Sequence, residues 1–154
     1  MLSTYFGDVT SGRLLRLPFV GYIVLLHVLS FALVIAGGAS LGIAENLVGG
    51  DLTQAQQMLL EKFGLPAMII IGIVFAAVIF AGLNLKAKRI RDIGLPGWWT
   101  LLAVWVIYIV IVVIVNVVTG SDPVISKVTP SIVSAIGALA LVFIPSDTFT
   151  GNNG

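Results

Sequence analysis

The chain contains no cysteine, which removes disulfides, thiolate metal ligands and thiol nucleophiles together. It contains one histidine, His27, so neither an H-E-x-x-H helix nor a histidine relay can be assembled. Charge is scarce as well. Asp, Glu, Lys and Arg make up 10% of the residues, against roughly 25% in an ordinary soluble domain. No G-x-x-x-x-G-K-[ST] phosphate loop is present. The basic residues are too few, and too close to apolar runs, for a nucleic-acid surface. No catalytic, metal or cofactor-binding residue is expected, the protein is expected not to be an enzyme, and nucleic acid is not an expected partner.

Apolar residues fill the space that charge leaves. They account for 58% of the 154 residues, with a mean hydropathy of +1.12. They are gathered into runs without any Asp, Glu, Lys or Arg: 28 residues between Arg16 and Glu45, 23 between Lys62 and Lys86, 29 between Asp92 and Asp122, and 19 between Lys127 and Asp147. A helix rises about 1.5 Å per residue, so roughly 20 apolar residues cross a hydrocarbon core of about 30 Å. The expected fold is therefore an all-α membrane protein, a four-transmembrane-helix bundle in a single membrane domain. Spans are placed at about 17–38, 65–85, 98–118 and 128–145. The first run is too long for the apolar part of a cleaved signal peptide, about 7–15 residues, and is read as a retained anchor. The run from Val104 to Val118 is rich in Val and Ile, which in water favours a strand. In lipid an open strand would leave its backbone groups unpaired, so helix is expected. The fourth run holds Pro130, Ser131 and Ser134 and only just reaches the required length; a re-entrant segment is its alternative.

Between the first two runs, Leu52, Ala55, Leu59 and Phe63 recur at helical spacing, with Gln54, Gln57 and Glu61 elsewhere. This pattern predicts a short interfacial helix, capped by Asp51 or Thr53 and ended by Gly64. The tail from Ser146 to Gly154 is polar and is expected to be loosely ordered.

One segment is distinctive: Lys88-Arg89-Ile90-Arg91-Asp92-Ile93-Gly94-Leu95-Pro96-Gly97-Trp98-Trp99. Its basic residues, with Lys86, follow the second span, where a helix C-terminus is electronegative. Asp92 is spaced to pair with Arg89 or Lys88 if the helix persists, and is expected to organise the turn from Gly94 to Trp98. Gly94, Pro96 and Gly97 form a tight turn, and Trp98 and Trp99 mark a membrane interface. The cluster is read first as a topology determinant and contact for anionic lipid headgroups, shared with Arg13 and Arg16. This segment resembles the basic-Asp-Gly-Gly-Trp-Trp signature of a bacterial inner-membrane family known as domain of unknown function eight hundred and five. Gly12-Arg13-Leu14-Leu15-Arg16-Leu17-Pro18-Phe19 is similar to its entry before the first span, and Pro145 followed by Gly151-Asn152-Asn153-Gly154 to its ending. Arg91 stands where that family often has His. The resemblance implies four membrane helices and brings no established activity with it.

Within the spans the polar candidates are few. His27 falls near the middle of the first, and Tyr108, Ser131 and Ser134 lie at midmembrane positions of the third and fourth. An ionisable ring at that depth is expected to face other helices and to bond one of them, with Tyr108 or Ser134 as partner. Small residues four apart, such as Gly38 and Gly42, fit internal packing first and a homo-oligomer seam second. The role expected on these grounds is that of a non-enzymatic accessory or scaffold protein of the cell envelope. The alternative is a small-solute transporter or channel acting as an oligomer, which would use His27, Tyr108, Ser131 and Ser134.

Six basic residues, Arg13, Arg16, Lys86, Lys88, Arg89 and Arg91, lie before the first span or between the second and third, against Lys62 and Lys127 in the other two loops. Basic residues gather on the cytoplasmic side, so the chain is expected to be multi-pass in the inner membrane, N-in and C-in. Topology reporters fused after residues 16, 55, 92, 124 and 154 should read in, out, in, out, in. An outside reading at 92 reverses the orientation, and one at 154 alone means that the fourth run does not cross.

Overall fold

A computed structural model describes residues 2–42, 49–50, 52–120 and 122–150. Among them there are only helices: α1 (Leu2–Phe6), α2 (Arg16–Leu41), α3 (Leu52–Ile93), α4 (Gly97–Val118) and α5 (Pro123–Phe143). Four segments are long and apolar enough to cross a membrane: Arg16–Ser40, Met68–Ile93, Gly97–Val118 and Val124–Phe143. Their outer surfaces are apolar and open. Phe31, Ile73, Trp105, Ile114 and Ile136 are all exposed. Apolar faces of this extent match lipid, which is as apolar as the side chains that meet it. The Val- and Ile-rich run is helical throughout as α4, as the need for internal backbone pairing requires.

The chain divides into two compact units, Tyr22–Gly82 and the remainder. In the first, α3 is two helices joined at Gly64, whose φ of 71° and ψ of −172° are non-helical. That region of backbone space is open to glycine almost alone, so Gly64 separates the amphipathic segment from the span. Residues 52–63 form the short helix between the first two spans. Ala55 and Leu59 are buried and pack against Met68 and Ile71. Phe63, expected on the same face, is exposed. Asp51, one of the two expected caps, lies outside the described residues.

The second span differs from its expected end. The helix continues to Ile93, eight residues beyond Leu85, and carries the whole basic cluster with it. Charges do not end a helix when each finds a partner, and here most of them do.

In the other unit, α4 and α5 pack side by side, joined by a short turn. Asp122 caps α5 by accepting from the Val124 and Ile125 N–H groups, and Pro123 fills the first helical turn. A proline is tolerated there because its missing N–H would have had no helical partner. The helix thus begins five residues before the expected Val128. It runs through Pro130 without a break and is long enough to cross. The Ser126 hydroxyl donates to the side-chain amide oxygen of Asn116, tying the two helices near their turn.

Gly64→Ala should lower stability in detergent by about 1–3 kcal/mol, the strain of a Cβ in that backbone region, measurable as a lower thermal midpoint. Its Cβ would meet only Pro66 Cδ, at 3.7 Å, so the loss would report backbone strain rather than a clash. An unchanged midpoint would show that the break relaxes freely.

Candidate functional site

The polar groups that the structure gathers lie where α3 ends. A helix has 3.6 residues per turn, so Asn84, Lys88 and Arg91 share one face. All three reach the N-terminal segment. Asn84 Nδ2 donates to the Tyr5 and Gly7 carbonyls at 2.9 and 3.1 Å. Lys88 Nζ donates to the Thr4 carbonyl at 2.8 Å. Arg91 donates through Nε to Gly12 at 2.7 Å and through Nη1 to Val9 at 2.8 Å, with a longer contact from Nη2 to Asp8. The indole N–H of Trp98 shares the Val9 carbonyl at 2.7 Å. The acceptors are the last carbonyls of α1 and those of the turn after it, which have no helical donors of their own.

Arg89 and Asp92 look toward the end of α5. Arg89 is fully buried and Asp92 4% exposed. Arg89 Nε donates to the Leu141 carbonyl at 2.8 Å and Nη2 to that of Ile144. Nη1 pairs with the Asp92 carboxylate and lies 3.4 Å from the Ser146 hydroxyl. The Ser146 hydroxyl in turn donates to Asp92 at 2.6 Å. Leu141 and Ile144 are in the last turn of α5 and just past it, so a guanidinium satisfies carbonyls at the negative end of a helix. The backbone continues the attachment, because the Asp147 and Phe149 N–H groups donate to the Asp92 and Ile93 carbonyls at 2.7 and 3.0 Å. Arg13 closes the ring at the surface with an ion pair to Asp147 at 3.0 Å.

The two motif glycines follow from close approach. A Cβ on Gly97 would stand 2.5 Å from the Ala87 carbonyl oxygen, and one on Gly94 2.5 Å from the Thr150 nitrogen. The start of α4 can therefore lie against the end of α3 only without a side chain at position 97. Gly94 carries a φ of 103° as well.

Several expectations change with this geometry. Lys88 and Arg89 are 3% and 0% exposed and donate to groups of the chain itself, Lys88 to a carbonyl and Arg89 to two carbonyls and Asp92, so the headgroup reading does not suit them. Arg91 is held the same way. Arg13 and Arg16 are exposed and Lys86 is half-buried, and these three keep the headgroup reading. Asp92 pairs with Arg89 as its spacing allowed, but it holds the C-terminal segment through Ser146 and Asp147 rather than the turn from Gly94 to Trp98. The tail is not loosely ordered as far as residue 150, since backbone and side-chain bonds fix it; residues 151–154 lie outside the description. Trp98 is half-buried, while Trp99 is 74% exposed, as an interface residue should be.

Of the midmembrane candidates, His27 belongs to the unit Tyr22–Gly82, and Tyr108 and Ser134 to the other. His27 is exposed, and its Nδ1 donates to the Ile23 carbonyl of its own helix at 2.6 Å instead of bonding a neighbour. An intrahelical bond of this kind satisfies the ring without any second helix. Ser30 does the same with Leu26 at 2.6 Å. In the other unit Tyr108 is half-buried on α4 and Ser134 exposed on α5. Among the described residues no group of three His, Cys, Asp or Glu could hold a metal ion. Asn84, a polar residue near the end of a span, satisfies the end of α1; the roles of Ser146 and Asp147 carry no signal in the sequence.

The family model described as protein of unknown function (DUF805) matches residues 9–148. The chain belongs to that family. With four helices able to span a membrane, this DUF805 protein is a multi-pass membrane protein. No curated protein and no solved structure matches it.

Removing the Asp92 charge would leave a buried guanidinium short of its counter-ion. Loss of one partner from a buried pair typically destabilises by about 3–5 kcal/mol. Asp92→Asn should therefore lower abundance and thermal midpoint strongly. Arg13→Gln breaks only an exposed pair and should change stability by less than about 1 kcal/mol. Equal effects of the two substitutions, read by thermal unfolding in detergent, would remove the buried pair from its central place.

Proposed function

We propose that this DUF805 protein is a non-enzymatic accessory or scaffold protein of the bacterial inner membrane, with both termini in the cytoplasm. The observation that carries this reading is the use of the motif's charges. Asn84, Lys88, Arg89, Arg91 and Asp92 hold residues 4–12 and the segment after α5. A charged motif engaged in this way serves the shape of the protein's own surface rather than a solute passing it. The shape it fixes is a cap of both chain ends around one helix terminus. Arg13, Arg16 and Lys86 remain at its surface for anionic lipid or an acidic partner, each worth roughly 1 kcal/mol near an anionic leaflet. The six-to-two distribution of basic residues supports the orientation.

Purified protein in vesicles of phosphatidylethanolamine and phosphatidylglycerol tests the reading against transport. Osmotic swelling with small neutral and charged solutes should match protein-free vesicles. Crosslinkers placed at exposed positions of the cap, such as residue 13 or 16, should trap a discrete protein adduct in cells. A saturable solute flux that falls in His27→Gln or Tyr108→Phe would replace the scaffold reading with a transporter.

A further inference from the structure

The unit Tyr22–Gly82 contains a cavity that the cap does not use. Its volume is about 250 Å³, and it lies between α2 and the second half of α3, with Leu59 of the short helix at one end. One wall is formed by Ser30, Leu33, Val34, Gly37 and Gly38, the other by Ile70, Ile71, Val74, Phe75 and Val78. The lining is almost wholly apolar. Ser30, its one hydroxyl, is already bonded to the Leu26 carbonyl, so the cavity offers nothing to water or to an ion.

Its length and setting name an occupant. From Ser30 to Gly38, and again from Ile70 to Val78, the walls run about 12 Å at 1.5 Å per residue. That is most of the hydrocarbon depth of one leaflet, about 15 Å. A cation stands at one end. Lys62 is exposed, and its Nζ lies 3.7 Å from where a Cβ on Gly42 would be. Gly42 follows the last residue of α2, four positions after Gly38, and Lys62 is one turn beyond Leu59 on the short helix. The ammonium therefore marks the polar mouth of an apolar slot, with the Phe63 ring 5.9 Å away. An apolar groove nearly as deep as one leaflet, with the Lys62 ammonium beyond its Leu59 end, is complementary to an acyl chain joined to an anionic headgroup.

We propose that this cavity is a binding site for one acyl chain of an anionic glycerophospholipid, with Lys62 as its phosphate contact. The proposal does not depend on the scaffold reading. Gly37 is what makes room for it. A Cβ at Gly37 would meet nothing within 4 Å, so the absence of a side chain there serves the space rather than the packing of the protein against itself.

The test uses the full chain in vesicles of phosphatidylethanolamine and phosphatidylglycerol carrying a trace of phosphatidylglycerol with a photoactivatable acyl chain. Labelled peptides are mapped by mass spectrometry. Labelling should concentrate on residues 30–38 and 70–78, and fall about tenfold in Gly37→Leu, a loss of roughly one decade in occupancy. Val78→Phe fills the same space from the other wall and should reproduce the loss if Gly37→Leu folds poorly. Lys62→Gln should weaken labelling about fivefold, the effect of one basic residue at an anionic surface. It should not change labelling by a matching probe with an uncharged diacylglycerol headgroup. Labelling spread evenly over all four spans, or unchanged when the slot is filled, overturns the proposal. Labelling that is lost on filling but indifferent to Lys62 overturns it equally, in favour of an uncharged hydrocarbon.

Discussion

A helix that ends at a membrane surface leaves its last carbonyls without intrahelical donors, and a chain with few charges has few side chains with which to satisfy them. The buried guanidinium of Arg89 meets that need here. It donates to Leu141 and Ile144 at the end of α5 while its charge is balanced by Asp92. A charge taken fully out of water is tolerated only when it is paired and its remaining donors are bonded, and each requirement is met from a different part of the chain. The Asp92 carboxylate is held in turn by Ser146, and the Asp92 carbonyl receives the Asp147 N–H. Removing the guanidinium would release α5's end and the segment after it together.

The N-terminal side of the cap follows the same principle with different donors. Asn84, Lys88 and Arg91 satisfy carbonyls between Thr4 and Gly12, a stretch that has only one turn and a half of helix to pair them internally. One helix terminus therefore supplies donors to both ends of the chain from two neighbouring faces. Backbone acceptors do not depend on the identity of the residue that carries them. Such a cap constrains the residues that donate, the glycines that permit approach and little else.

The unit from Tyr22 to Gly82 works by another kind of constraint. There Gly64 bends the path of the chain, Ala55 and Leu59 seat the short helix on Met68 and Ile71, and small residues on α2 leave space rather than filling it. Three polar side chains of α2 are satisfied within their own helix. His27, Ser30 and Ser40 each bond a carbonyl one turn back in their own helix, the least demanding way to carry a polar group through an apolar medium. A histidine in a membrane helix is thereby accommodated without any partner helix.

The number of spans, their helical state, the short helix with its end at Gly64, and the reach of Asp92 to Arg89 or Lys88 were all legible along the chain. These depend on run length, on the need of backbone in lipid to pair within its own segment, and on spacing along one helix, all of which are local. The sequence did not reveal the far partners of the basic cluster. Hydropathy placed the end of the second span at Leu85, where charge begins, and a charge next to a membrane reads equally well as a lipid contact or a buried donor. The fold separates the two, because it brings carbonyls some 50 to 85 positions away within reach of Arg89, Lys88 and Arg91. Carbonyl acceptors are present at every residue and carry no mark in the sequence, so a contact from side chain to distant backbone is written in the fold alone.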